Sequence, residues 1–91
     1  MAIEFISDPG HGWLKVPLAD YPDAIECGTG YGYTSRDGRT VYLEEDVEAS
    51  LFLDRHPGVS WDSIPKRYVR AFDKSLPSIP RHPSYVSPFD R

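Results

Sequence analysis

Disulfide bonds, long apolar runs and internal repeats are absent from this 91-residue sequence. Cys27 is the one cysteine, which excludes an intramolecular disulfide and favours a reducing compartment. No apolar run exceeds three residues, far below the roughly 20 that cross a bilayer. The first residues also lack the basic start and apolar core of an export signal. We therefore expect a cytoplasmic protein without a membrane segment.

The composition is that of one small folded domain. Hydrophobic residues make up 40% of the chain and charged residues 26%, close to the globular average. A chain of this length holds one hydrophobic core, which we expect within residues 1–73. Residues 74–91 contain four prolines and predict an extended C-terminal arm.

Charge is distributed unevenly along the chain. Residues 1–50 hold three basic and ten acidic residues, whereas residues 51–91 hold seven basic and four acidic ones. The whole chain carries a net charge of −4. Such a chain either neutralises itself on folding or presents an acidic surface to a basic partner. Binding to nucleic acid is disfavoured, because an acidic body repels phosphates.

The N-terminal third predicts two strands joined by a turn. In residues 1–6, Ile3 and Phe5 fall on one face by the period of two, and a Pro- and Gly-containing turn over residues 7–12 follows them. In the second strand, Leu14 and Val16 share one face, and Trp13 and Lys15 share the other. One face of this hairpin should therefore be apolar and the other mixed.

Asp37-Gly38 lies between two strand-like runs and predicts a two-residue type I′ hairpin. With these two residues in the turn, Tyr33 pairs with Tyr42 and Thr34 pairs with Val41. Alternation then places Gly32, Thr34, Val41 and Leu43 on one face, and Tyr31, Tyr33 and Tyr42 on the other.

A helix of about ten residues is predicted from near Asp46 to Arg55-His56. Its apolar stripe would pack on the Val41 and Leu43 face of the sheet. Residues 66–72 are assigned to a further strand, with a helical turn as the alternative. The predicted fold is a small α+β domain: an antiparallel sheet of four or five strands, one helix packed on one face, and the extended arm.

Residue types that support catalysis or metal binding are scattered. His11 and Cys27 are the only candidates for a Cys-His pair, and no orienting group or oxyanion-type turn stands beside the cysteine. His11, His56 and His82 lack the spacing of a metal site. We therefore predict no catalytic residues, no metal and no cofactor. A small ligand-binding domain or enzyme centred on His11 remains the alternative.

Aromatic and acidic residues provide the candidate binding surface. The face opposite the helix gathers aromatic side chains, which the arm covers through Tyr85 and Phe89 or a partner protein covers instead. Aromatic side chains of this kind dominate protein-binding hot spots. The acidic run at residues 44–48 is interpreted as a helix cap or as an acidic edge that recognises a partner. The candidate binding residues are Trp13, Tyr31, Tyr33, Tyr42, Glu44, Glu45, Asp46 and Glu48.

Two motifs resemble a known group of proteins. The segment Ser7-Asp8-Pro9-Gly10-His11-Gly12-Trp13-Leu14-Lys15-Val16 and the segment Tyr42-Leu43-Glu44-Glu45-Asp46 are similar to small phage, plasmid and bacterial proteins that share a domain of unknown function. The resemblance spans about residues 3–55, and Val47-Glu48 stands where the similar proteins commonly have Cys-Asp. It implies a mobile-element origin and the cytoplasm of a bacterial host, and it implies no activity.

These observations predict a small non-enzymatic protein of a phage or mobile element that binds a host or defence protein, with inhibition of host immunity as one outcome. The first alternative is the ligand-binding domain or enzyme centred on His11. A nucleic-acid-binding module that uses the arginines of the second half is the third hypothesis. A homo-oligomer is compatible with all three.

Overall fold

Five strands, one α helix and two short 3₁₀ helices make up the computed structural model, which describes residues 3–83. The strands are β1 (Glu4–Ser7), β2 (Gly12–Pro17), β3 (Tyr33–Thr34), β4 (Thr40–Glu44) and β5 (Lys66–Tyr68). The α helix α1 is Glu48–Arg55, and the 3₁₀ helices are Pro22–Cys27 and Trp61–Ser63. This architecture confirms the predicted α+β class.

The strands form a single sheet in the order β3-β4-β2-β1-β5. All neighbouring pairs are antiparallel except β1 and β5, which are parallel. The sheet is therefore mixed, whereas the sequence predicts an antiparallel one. The difference arises because the chain passes through α1 after β4 and returns to the far edge of the sheet, a long connection of the kind that parallel pairs require.

The register of the β3–β4 hairpin is the predicted one. Tyr33 pairs with Tyr42, and Thr34 pairs with Val41. Because the register is unchanged, the two faces of this hairpin are also as predicted: the Val41 side chain is fully buried beneath α1, and the tyrosines lie on the other side of the sheet.

The turn of this hairpin differs from the type I′ prediction. Gly38 has a φ of +73°, but no non-glycine residue among residues 3–83 has a positive φ, so Asp37 does not adopt the type I′ conformation. The Gly38 N–H donates to the Ser35 carbonyl at 3.0 Å, and the Ser35 N–H donates to the Thr40 carbonyl at 2.9 Å. Residues 36–39 thus form a four-residue loop. The Asp37 carboxylate stabilises it by accepting hydrogen bonds from the Ser35 hydroxyl and the Arg39 N–H.

The core lies between one face of the sheet and α1. Its side chains come mainly from the alternating inward positions of β2 and β4 and from the apolar face of the helix. The largest fully buried apolar side chains are Phe52, Leu14, Leu43, Ile79, Val16 and Val41.

Helix α1 begins two residues later than predicted. It starts at Glu48, and residues 45–47 form a turn in which the Asp46 N–H donates to Glu44 Oε2 at 3.0 Å. Val47 is accordingly 36% exposed and lies outside the core stripe. The helix ends at Arg55, before Pro57, as predicted.

The other face of the sheet is covered by Phe72. Its ring stacks on the Trp13 ring with centroids 4.0 Å apart, and it also contacts Tyr33 and Tyr42. Trp13 is left only 2% exposed. The aromatic face, expected to be covered by the arm or by a partner, is therefore largely closed at Trp13 by Phe72, a residue that follows β5. Residues Tyr85 and Phe89, the predicted cover, lie outside the described residues.

The predicted arm packs on the domain as far as it is described. Its extended chain runs beside β3: the Thr34 N–H donates to the Pro77 carbonyl at 2.8 Å, and the Ile79 N–H donates to the Gly32 carbonyl at 2.9 Å. The Ile79 side chain is 1% exposed. Residues 77–79 thus protect the β3 edge of the sheet and add a side chain to the core.

Candidate functional site

A groove of about 360 Å³ lies beside the turn between β4 and α1. Four parts of the chain contribute to it: β2 with its preceding turn, the segment leading into β3, the turn after β4, and the segment after β5. Its lining residues are His11, Trp13, Tyr31, Tyr33, Glu44, Asp46, Val47 and Lys74. We call this site the tyrosine groove.

Five of the eight predicted binding residues meet in the tyrosine groove. They belong to both predicted sets, the aromatic face and the acidic run: Trp13, Tyr31, Tyr33, Glu44 and Asp46. The sequence places these sets in different strands, and the β2–β4 pairing brings them together because Trp13 lies opposite Glu44. The groove therefore combines aromatic walls with carboxylates.

The aromatic residues of the groove differ in exposure. Tyr31 is 72% exposed and is the most accessible of them, whereas Trp13 is 2% exposed. The Trp13 and Tyr33 rings are in contact, with centroids 6.4 Å apart. Trp13 thus serves as the packed base of the groove, and Tyr31 is the side chain that a bound molecule meets first.

The remaining three predicted residues lie elsewhere. Tyr42 contacts Phe72 and lines a separate cavity of about 300 Å³. Glu45 is exposed and lines a second groove on the other side of the turn. Glu48 is fully buried, so it is not part of an exposed acidic edge.

Buried Glu48 connects two loops that border the tyrosine groove. Its Oε2 accepts hydrogen bonds from the Thr29 N–H at 2.6 Å and from the Thr29 hydroxyl at 2.9 Å, and its Oε1 accepts one from the Glu44 N–H at 2.9 Å. A Cβ at Gly32 would lie 2.2 Å from Oε1, so only glycine fits there. The carboxylate thereby holds the segment before β3 against the turn after β4.

Three carboxylates crowd the turn after β4. Oxygen atoms of Glu44, Glu45 and Asp46 all lie within 4.8 Å of one another. Burial raises the pKa of the Glu44 carboxyl above its usual value, and the negative charge of Asp46 acts in the same direction. Among residues 3–83, none of these three carboxylates forms an ion pair. We call these three residues the acidic turn.

His11 lies at the groove but belongs to a well-defined turn. The Asp8 carboxylate accepts hydrogen bonds from the backbone N–H groups of Gly10 and His11, both at 2.9 Å, and one from Phe72 at 3.2 Å. The hydrogen bond from His11, followed by those from Gly10 and Phe72, lowers the pKa of the Asp8 carboxyl. The His11 ring is exposed and lies 5.9 Å from the Trp13 ring, centroid to centroid.

Cys27 is separated from His11. The thiol lies in the core, 1% exposed, in the cluster that contains Ala24 and Phe52. Burial raises its pKa to about 11. This is the environment of a packed thiol and not of a nucleophile, since nucleophilic cysteines have a lowered pKa and are accessible.

We expect the Cys27 thiol to resist alkylation in the folded protein. At pH 8 iodoacetamide should modify it at least about 100-fold more slowly than a cysteine in an unfolded chain, because both the thiolate fraction and the access are reduced. The measurement is the rate of mass increase in buffer and in guanidinium chloride. Equal rates in the two conditions would contradict the burial of this side chain.

Two lining residues belong neither to the predicted binding surface nor to the alternative centred on His11. They are Val47, which falls within the predicted helix, and Lys74, which falls within the predicted arm. The residues next to each in the sequence do not indicate that it lines the groove, because only the tertiary fold brings it there. Phe72 lies in the strand predicted over residues 66–72, but in the structure it follows β5 and covers the sheet.

The fold and the groove define a small α+β domain whose aromatic surface groove is bordered by carboxylates. Within residues 3–83 no helix combines the length and apolar character needed to cross a membrane. No protein-family model matches the chain, and no curated protein or solved structure matches it significantly.

Proposed function

We propose that this chain is a small non-enzymatic binding protein of a phage or mobile element, which docks on a host or defence protein in the bacterial cytoplasm. The observation that carries the proposal is the exposed Tyr31 side chain in a groove of about 360 Å³ bordered by Glu44 and Asp46. The resemblance of its two motifs to phage and plasmid proteins supports the origin.

The physical properties of the groove suit protein recognition. Tyrosine side chains bury a large area at little cost in conformational entropy and are enriched among binding hot spots. Carboxylates at the border of such a groove select a partner of opposite charge and accelerate association. Inhibition of a host or defence protein requires no more than such a surface placed over a functional part of that protein.

Replacing Tyr31 with alanine should weaken partner binding strongly. The side chain is 72% exposed, so its loss leaves folding almost unchanged while removing the most accessible contact of the groove. We expect at least a tenfold loss of affinity, equivalent to about 1.4 kcal/mol, since truncation of a hot-spot side chain costs about 2 kcal/mol or more. The measurement is capture of a stoichiometric protein from a bacterial lysate by the tagged full chain, followed by mass spectrometry and titration of the captured protein.

The chain offers a matched control for this experiment. Tyr68 is 65% exposed and lies on β5 outside the tyrosine groove, so Tyr68→Ala should bind as the unmodified chain does. Capture of nothing by the unmodified chain, or equal capture by the Tyr31→Ala chain, would count against a docking protein that uses this groove.

A small ligand is the alternative occupant of the groove. Its volume falls within the range of small-molecule sites, and His11 is one of its lining residues. Under this alternative His11→Ala removes the activity, whereas under protein docking it has little effect.

The nucleic-acid hypothesis is tested by gel shift. It draws little support from Arg67, whose guanidinium is already paired with Glu4 at 3.1 Å.

A further inference from the structure

A second groove, of about 370 Å³, lies on the other side of the acidic turn. We call it the tryptophan groove. Its apolar walls include Phe5, Leu53 and Trp61, and its charged border consists of Glu45 and Asp46. Asp46 also borders the tyrosine groove, so the acidic turn separates two aromatic grooves that face different ways.

Gly12 allows the aromatic and acidic parts of this groove to approach each other. A Cβ at Gly12 would lie 2.2 Å from the Phe5 ring and 2.9 Å from Glu45 Oε2. The absence of a side chain therefore lets the ring and the carboxylate meet above the backbone of β2. The Phe5 and Trp61 rings pack edge to face, with centroids 4.8 Å apart, and form the apolar wall.

The electrostatics of the tryptophan groove favour a cation. Its charged lining residues are both carboxylates, and neither forms an ion pair within residues 3–83. The crowding of the three carboxylates in the acidic turn adds repulsion that a positive charge would relieve. The Lys66 ammonium already lies 4.5 Å from the centroid of the Trp61 ring, so the carboxylates, and not this ring, attract the charged group of a ligand.

We propose that the tryptophan groove binds an arginine or lysine side chain from a basic segment of a partner protein. The aliphatic stem of such a side chain packs against Phe5 and Leu53, and its charged head reaches the carboxylates of Glu45 and Asp46. Trp61 is 43% exposed and is accessible to the incoming side chain. This second site does not depend on the tyrosine groove, although one partner segment crossing Asp46 would reach both.

The two tryptophans provide a separate reporter for each groove. Trp13 lines the tyrosine groove and Trp61 lines the tryptophan groove, so their indole N–H resonances distinguish the two sites. The experiment is an NMR titration of the ¹⁵N-labelled full chain with tetra-arginine amide at low salt, with Trp61→Phe used for assignment. We expect saturable shifts of the Trp61 indole and of the Ser50 amide, with smaller shifts of the Trp13 indole.

Paired neutral substitutions separate a site from general attraction. Glu45→Gln combined with Asp46→Asn should weaken tetra-arginine binding at least about fivefold, because both charged contacts are lost. Asp20→Asn combined with Asp54→Asn makes the same change in net charge at exposed positions outside the groove, and should weaken binding less than about twofold. Retained spectral dispersion confirms that each variant is folded.

Several outcomes would overturn the proposal. They are shifts confined to the Trp13 indole, equal weakening in the two paired variants, no saturable binding, and equal binding of tetra-glutamate. The same shifts produced by magnesium or calcium chloride alone would assign the acidic turn to a metal instead. If the tryptophan groove fails these tests, loss of lysate capture in the Tyr31→Ala chain would still support docking at the tyrosine groove. The two proposals therefore fail separately.

Discussion

Replacing Glu48 with alanine is expected to lower the free energy of unfolding by about 2–4 kcal/mol. The carboxylate is fully buried and accepts three hydrogen bonds, from the N–H and hydroxyl of Thr29 and from the N–H of Glu44. Alanine leaves these donors without their acceptor in a site closed to solvent. Each unsatisfied buried donor costs about 1–3 kcal/mol, and water entering the space offsets part of the loss.

Glutamine at this position tests the hydrogen-bonding geometry. Both carboxylate oxygens face donors, so an amide NH₂ in place of either oxygen must point at an N–H or a hydroxyl group. Glu48→Gln should therefore destabilise the protein by about 1–3 kcal/mol although its shape is conserved. Glu45→Ala is the control, because this neighbouring carboxylate is exposed and its loss should change stability by less than about 0.5 kcal/mol.

The measurement is unfolding in guanidinium chloride, combined with hydrogen exchange. Because Glu48 connects the segment before β3 to the acidic turn, its loss should also raise amide exchange at Thr29 and at Glu44. A Glu48→Ala chain as stable as the unmodified one would show that this carboxylate does not hold the groove together.

The second large effect is expected for Trp13→Ala, with a loss of about 3–5 kcal/mol in the free energy of unfolding. Trp13 is 2% exposed, and its ring stacks on Phe72 at 4.0 Å between centroids. Alanine would leave a large cavity between the sheet and the segment after β5. Phe72 would also lose its stacking contact with the Trp13 ring. This loss is a large share of the total stability of a small domain, about 5–15 kcal/mol.

Trp61 supplies the matched control, because it is the other tryptophan and is 43% exposed. Trp61→Ala should cost about 1 kcal/mol or less. Double substitution at Trp13 and Phe72 should cost less than the two single changes added together, since both remove the same stacking contact. Equal destabilisation by Trp13→Ala and Trp61→Ala would contradict the packing of Phe72 on the sheet.

These expectations change how the candidate residues should be tested. The sequence assigns Trp13 and Glu48 to a binding surface, but the structure places both inside the protein, where substitution lowers stability. Loss of binding in either variant would therefore not identify a contact residue. Tyr31 and the Glu45–Asp46 pair are the informative positions, because they are exposed and their replacement leaves the core intact.

The acidic run illustrates why adjacent residues with the same charge acquire different roles. Glu44 lies at the end of β4, Glu45 and Asp46 lie in the turn, and Glu48 begins α1. A helix that started at Asp46 would point these side chains in other directions. The delay of two residues arises because Glu44 accepts a hydrogen bond from the Asp46 N–H, which stabilises the turn instead of a first helical turn.

The sequence by itself determined the fold class, the β3–β4 register and the inward faces of β2 and β4, because side-chain alternation and the position of the Asp37-Gly38 turn act between residues close in the chain. Tertiary structure decided that β5 pairs with β1 in parallel, that Phe72 covers Trp13, and that Glu48 is buried against Thr29. These features depend on contacts between residues far apart in sequence, for which the local pattern carries no signal. Only the folded chain could therefore place Tyr31 and the acidic turn around a common groove.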